Sequence, residues 1–157
     1  MSVLAVIPAR LGAQRLPRKP LRLLAGEPLI IRVYQRVLAL GIGDHVVVAA
    51  DHPEVLAACE ARGVPVVLTR DDHPSGTDRV AEVAARPEFA HFRIILNVQG
   101  DEPLIDPDLV RQVAQVLAQR SDCVMSTAAH PLHDEADYLN PNVVKVVMDA
   151  AGRALYF

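Results

Sequence analysis

An α/β architecture, with helices laid on both sides of a mainly parallel sheet, follows from three features of the sequence. Continuous β-branched and aliphatic runs, such as VLAVI at residues 3–7 and HVVVAA at 45–50, have the pattern of strands buried on both faces. Segments with apolar residues at helical spacing separate them. The alternation repeats four times, which calls for right-handed crossovers and a mainly parallel strand order. At 157 residues the chain supports one compact domain that buries roughly 70% of its unfolded surface.

Each element carries its own signals. Residues 3–7 read as the first strand, and Pro8, Gly12, Pro17 and Pro20 impose a loop after it. From Pro28 to about Leu40, the residues Leu29, Ile30, Val33, Tyr34, Val37 and Leu38 recur at helical spacing, with Pro28 suited to the first turn and Gly41 just past the end. Residues 45–50 form the second strand, 53–61 a short helix ended by Gly63, and 64–68 the third strand. Thr77 is the expected N-cap of a helix over about 78–85, with Asp78 favourably placed in its first turn. Residues 93–98 (RIILNV) form another strand, broken off by Gly100. Asp106 and Pro107 cap and open a helix in which Leu109, Val110, Val113, Val116 and Leu117 make one apolar stripe. Residues 123–129 are expected to form a fifth strand, and 143–148 with 154–157 a hairpin whose turn holds Gly152.

Composition narrows the class. Net charge is −3 and apolar residues make up 51%, so the chain is globular rather than disordered, and it is not a nucleic-acid-coating protein. Cys59 and Cys123 read as small buried thiols rather than a disulfide or metal pair, which fits a reducing compartment. The apolar run before Pro8 and Arg10 is too short for a signal peptide or a membrane span, so no membrane insertion and a cytoplasmic location are expected. Residues 154–157 finish on an apolar, aromatic strand of a kind that is ordinarily covered or continued. Residues 1–157 are therefore expected to be a single α/β domain and the N-terminal part of a longer chain.

Ligands of open parallel sheets sit beyond the carboxyl ends of the strands, and three loops there hold the polar residues. The first, PARLGAQRLPRKPL at residues 8–21, gathers Arg10, Arg15, Arg18 and Lys19 directly after the first strand. Such a cluster can surround a polyanion, and it also fits a plain solvated basic loop. Neither G-x-x-x-x-G-K-[ST] nor G-x-G-x-x-G follows the strand, so phosphates would be held by arginine forks and a lysine. The second loop, residues 69–79, offers Ser75, Gly76 and Thr77 ahead of a helix, suited to a base edge, a ribose or an anion, or merely to capping and turning. His73 belongs to the same loop. In the third, NVQGDEP at 97–103, Asp101 and Glu102 follow a glycine. One hard oxygen ligand from Asp101 suits Mg²⁺, which takes one or two carboxylates and fills its octahedron with water and phosphates; a polar turn is the alternative. Together the three loops suggest nucleotidyl transfer.

With these residues assembled, the sequence resembles the 3-deoxy-manno-octulosonate cytidylyltransferases, the CMP-Kdo synthetases of Gram-negative lipopolysaccharide synthesis. The matching stretches are IPAR at 7–10 with RLP at 15–17 and KPL at 19–21, VVVA at 46–49 with Asp51, and Thr69, Arg70, His73, SGT at 75–77 and Arg79. NVQGDEP at 97–103, NPN at 140–142, VKVV at 144–147 and ALYF at 154–157 complete them. The resemblance covers the whole chain. It implies a three-layer α/β/α, Rossmann-like fold of the nucleotide-diphospho-sugar transferase type. It also implies that Arg10, Arg15 and Lys19 hold the triphosphate of CTP, with Pro8, Ala9, Arg70, Ser75 and Gly76 completing the cytidine site, and that Gln99 helps place the sugar acid. Asp101 would bind Mg²⁺, making Arg10, Lys19 and Asp101 the catalytic group. The anomeric hydroxyl of Kdo would attack the α-phosphorus in line and expel pyrophosphate. Family members run roughly half again longer, and their further portion carries a second metal-binding aspartate, much of the sugar-acid site and the main contacts of a homodimer. Within the shared part the family usually has serine where this chain has Ala13, glycine where it has Arg18 and threonine where it has Ala50. A non-catalytic nucleotide-binding domain and a transferase for a related acid sugar, 8-amino-Kdo or a sialic acid, are the alternatives.

Overall fold

The computed structural model describes residues 2–12, 16–41 and 43–157. Its centre is β1 (Val3–Ala9), seven consecutive buried residues. A short hairpin follows, β2 (Leu23–Leu24) with β3 (Glu27–Pro28), then α1 (Leu29–Ala39), β4 (His45–Ala50), α2 (Pro53–Glu60) and β5 (Val66–Leu68). The chain continues through α3 (Gly76–Ala84), β6 (Ile94–Asn97), α4 (Pro107–Gln119) and α5 (Glu135–Leu139) to a terminal antiparallel hairpin of β7 (Val147–Met148) and β8 (Ala154–Tyr156). The main sheet is parallel throughout, in the order β5-β4-β1-β6.

Alternation along β1 divides the interior in two. Val3, Ala5, Ile7 and Ala9 pack with Ile30, Ile31, Val33 and Val37 of α1, Val55 and Cys59 of α2 and Val110 of α4. On the other face Leu4 and Val6 meet Val80 and Val83 of α3 together with Phe89. The result is the expected three-layer α/β/α arrangement, with α1, α2 and α4 opposite α3. Burial of the Cys59 thiol pushes its pKa up to about 11, as for an inert core group.

Several sequence expectations shift. The loop after the first strand begins later than Pro8, because β1 runs on through Pro8 and Ala9, which pair with Ala49 and Ala50. Proline is tolerated there because the β6 partnership has already ended at Val6 opposite Asn97, so no ladder bond needs its missing N–H. Helix α1 starts at Leu29 with Pro28 as its N-cap. Ser75, not Thr77, caps α3, its hydroxyl accepting the Asp78 N–H at 3.1 Å. Leu109 and Val116 of the predicted α4 stripe are exposed, and Val110 and Ala114 carry its buried side.

Residues 123–129 do not form a strand. Val124 is 99% exposed and Met125 72%, so the run has neither a paired edge nor a face to bury, and apolar composition alone does not make a ladder.

Close approach at the end of the sheet depends on one glycine. A Cβ on Gly100 would lie 2.5 Å from the Pro8 carbonyl oxygen, a backbone atom that cannot swing aside. Gly100→Ala is therefore expected to lower unfolding stability by about 2 kcal/mol or more, measured by urea denaturation. A variant as stable as the parent would contradict the packing.

Candidate functional site

The site is built where β1, β4, β5 and β6 all release the chain in the same direction. Asp51, first residue after β4, ties down the exit of β1 at two points. Its N–H donates to the Ala9 carbonyl at 3.3 Å, and its Oδ1 accepts the Leu11 N–H at 2.9 Å. Arg10, exposed, stands between these two bonds. Further on, the Arg18 N–H donates to the Leu11 carbonyl at 3.3 Å and closes the turn onto a single helical turn at Lys19–Leu21. Ala13 and Arg15 lie outside the described residues.

Lys19 and Arg18 of the opening loop part company here. Lys19 Nζ donates to Asp101 Oδ2, joining the basic turn to the acidic loop after β6. Arg18 instead turns to α2, where its Nη1 donates to Glu54 Oε1 at 3.1 Å and its Nη2 to Oε2. That hydrogen bond is the foremost cause holding the Glu54 carboxyl below its ordinary value. Arg18 also adopts the left-handed conformation, with φ 58° and ψ 27°. Glycine visits that region without strain, whereas an arginine there does so at a cost.

The loop after β6 is set from two sides. Val98 N–H donates to the Val6 carbonyl at 3.0 Å, keeping the chain beside β1 past the end of the strand. From α1, Arg36 Nε and Nη2 both donate to the Ile105 carbonyl, at 3.2 and 3.1 Å. Between these anchors Gln99, Asp101 and Glu102 are exposed, and the Gln99 amide donates to Asn97 Oδ1 at 3.4 Å.

Across the sheet end, Ser75 and Gly76 begin α3 close to Pro8: a Cβ on Gly76 would lie 3.5 Å from Pro8 Cγ. The Ser75 hydroxyl is engaged with Asp78, both backbone and carboxylate. Arg70 lays its guanidinium on Asp72, with bonds of 2.9 and 2.6 Å. Glu82 is the hub of this loop. Its Oε2 accepts the Arg70 N–H at 3.0 Å and contacts His73 Nε2 at 2.6 Å, while Oε1 accepts Arg86 Nη2 at 3.0 Å. Burial by itself would raise the Glu82 pKa, but the bonds from His73, the Arg70 N–H and Arg86 outweigh it and bring the value down to about 2.

Thus Pro8, Ala9, Arg10, Lys19, Ser75, Gly76 and Asp101 come to one end of the sheet. Arg70 is turned onto a neighbour and Gln99 stands exposed. Asp51, Glu54, Glu82 and Arg79 are the participants to which the sequence alone assigned no role. Their one visible signal was a charged residue directly after a strand or inside a helix facing a polar loop. No cluster of three or more His, Cys, Asp or Glu side chains able to hold a metal exists among the described residues. Asp101 faces a cation in a loop of two carboxylates, a donor set that fits an ion shared with phosphate oxygens and not a protein cage.

Residues 4–157 match the family model described as Cytidylyltransferase. The chain is 60% identical over 158 residues to a 3-deoxy-manno-octulosonate cytidylyltransferase of Gemmatimonas aurantiaca, covering all of this chain and 60% of that protein. Against a protein of the same name from Leptothrix cholodnii it is 56% identical, again over its whole length and 58% of the relative. Among solved structures, CMP:2-keto-3-deoxy-manno-octonic acid synthetase complexed with CTP superposes with a TM-score of 0.82 at 38% identity, covering 99% of this chain and 63% of that one. A cytidylyltransferase from Leptospira borgpetersenii, at 22% identity and a TM-score of 0.62 over 77% of this chain and 50% of its own, shares the fold. The chain spans about three fifths of the length of the curated relatives it matches.

The Glu82 hub has a pH signature. Because its folded pKa is depressed, its contribution is complete above its unfolded value near 4.5 and is lost as pH falls through about 2. Thermal melts between pH 5 and pH 2 should therefore show Glu82→Gln less stable than the parent by about 2 kcal/mol at the upper end, with the difference vanishing toward the lower. A constant difference would contradict the assignment.

Proposed function

The chain belongs to the cytidylyltransferase family, and from that premise we propose that it binds CTP and takes part in transferring its cytidylyl group to 3-deoxy-manno-octulosonate, giving CMP-Kdo and pyrophosphate for lipopolysaccharide synthesis. The observation that carries this reading is the Lys19–Asp101 contact. It joins the turn rich in cations to the acidic loop after β6. Both side chains remain partly exposed, 35% and 45%, so each is free to exchange its partner for a ligand.

In this reading the Lys19 ammonium leaves Asp101 for the β- and γ-phosphates, and Arg10 forks onto the triphosphate from the other side of the turn. Asp101, released, would hold Mg²⁺ together with phosphate oxygens; the ion when bound supplies positive charge against the leaving pyrophosphate. The anomeric hydroxyl gives up its proton to water and its oxygen forms a bond to the α-phosphorus as the bridge to the β-phosphate breaks and pyrophosphate leaves. The protein's contribution to that step is position and charge, since phosphoryl-type transfers ask for little covalent help. Ser75 and Gly76, at the start of α3 and beside Pro8, offer the cytidine end a helix terminus and backbone amides. Gln99 would help place the sugar acid. Whole relatives carry more chain than this one, so the acceptor site, a homodimer and complete turnover are proposed for the full-length protein, and a cytoplasmic location with it. No helix among the described residues is long and apolar enough to cross a membrane.

Isothermal titration with CTP in the presence of Mg²⁺ tests the reading. The parent chain is expected to bind, chelation of the metal with EDTA to weaken binding, and Lys19→Ala and Asp101→Asn each to lower affinity at least about tenfold, as expected for a lost charge-assisted contact. No heat above dilution with the parent chain would overturn it.

A further inference from the structure

Among the described residues Arg79 is the largest side chain that is wholly buried, 0% exposed. It lies in α3 and its Nη1 donates to Thr69 Oγ1 and to the Arg70 carbonyl, the latter at 2.8 Å. Nε and Nη2 have no hydrogen-bond acceptor among the described residues. The nearest carboxylate is Asp51, whose Oδ2 lies 3.8 Å from Nη2. Distance excludes a hydrogen bond at that point and leaves a charge contact.

Burying a guanidinium this incompletely satisfied is costly, and an apolar side chain of similar volume would fill the same space with less penalty. Shape alone therefore does not account for an arginine here. What the charge reaches does. Asp51, with a side chain 11% exposed, is the residue whose N–H and Oδ1 bond to Ala9 and Leu11 on either side of Arg10. Burial is the foremost influence lowering the Arg79 pKa, Asp51 opposes it, and Arg10 adds to it. Arg79 thus reaches, through Asp51, the backbone on either side of Arg10.

We propose that Arg79 is a positioning residue for the turn after β1: it fixes the Asp51 carboxylate from α3, and Asp51 fixes the backbone that presents Arg10. The consequence for affinity rests on reading that turn as a nucleotide site; the structural coupling does not. A cation held in the core thereby steadies the backbone that carries a cation in solvent. The same arrangement couples the start of α3, where Ser75 and Gly76 lie, to the phosphate side of the site.

Hydrogen exchange of individual amides tests this on the intact chain with two substitutions. Arg79→Lys keeps a charge and loses the fork. Asp51→Asn keeps an oxygen for the Leu11 N–H and loses the charge that Arg79 attracts. In both, protection of the Leu11 amide is expected to fall at least about tenfold relative to that of Val47 in the core of β4, and combining them should add little, as for two members of one coupled pair. CTP affinity in the presence of Mg²⁺ should fall by about the same factor in Arg79→Lys. Should Arg79→Lys fail to fold, Asp51→Asn decides the question alone. Leu11 protection that stays unchanged, or that falls only in step with Val47, overturns the proposal. A parent chain that takes up no CTP would remove the nucleotide reading and leave the exchange result to decide the coupling.

Discussion

A strand buried on both faces and paired along both edges leaves its charged neighbours one place to stand, beyond its carboxyl end. β1 is such a strand: Leu4 and Val6 fill one layer of the core, Val3, Ala5 and Ile7 the other, with β4 and β6 on its two edges. Everything at the site inherits its position from this. Asp51 arrives there because β4 runs parallel and in register with β1, ending at Ala50 opposite Ala9. Asp101 arrives because Gly100 lets the chain after β6 press against the Pro8 carbonyl. Two strand ends and one glycine thus bring a basic turn and an acidic loop into contact, although they are far apart in sequence.

Charge partners around the site divide by burial. Lys19–Asp101 and Arg18–Glu54 are exposed pairs, which contribute little to stability and exchange partners readily. The Arg79–Asp51 contact, by contrast, is held where water does not screen it, and such a contact orients what it touches. A site built this way has a firm frame and interchangeable surface charges. Binding a polyanion would then rearrange side chains more than backbone. Arg18 sits oddly in that scheme: it takes a left-handed backbone and pairs with Glu54, whereas Lys19 pairs with Asp101.

Much of this was legible from residue pattern. The apolar runs of β1 and β4 and the Asp106–Pro107 start of α4 read directly, because each depends on neighbours a few positions away. The grouping of Arg10, Lys19, Ser75, Gly76 and Asp101 followed from the rule that parallel strands deliver their loops to one edge. What escaped was long-range. Asp51 acquires its role from Leu11 and Arg79, and no local spacing records that those three meet. Residues 123–129 looked like a strand since composition cannot say whether an edge is available. Ser75 displaced Thr77 as the cap of α3 because both have hydroxyls and only the backbone path near Pro8 chooses between them.

Contact between Lys19 and Asp101 is the claim on which the functional account turns, and carbodiimide coupling reads it directly, since the reagent joins an amine to a carboxylate only where the two already touch. The chain has two lysines, Lys19 and Lys145, so the products can be assigned by peptide mass mapping. The account predicts an amide bond between Lys19 and Asp101 that forms in the free protein and is suppressed by CTP with Mg²⁺. A map in which Lys19 is joined to other carboxylates and never to Asp101 would contradict it.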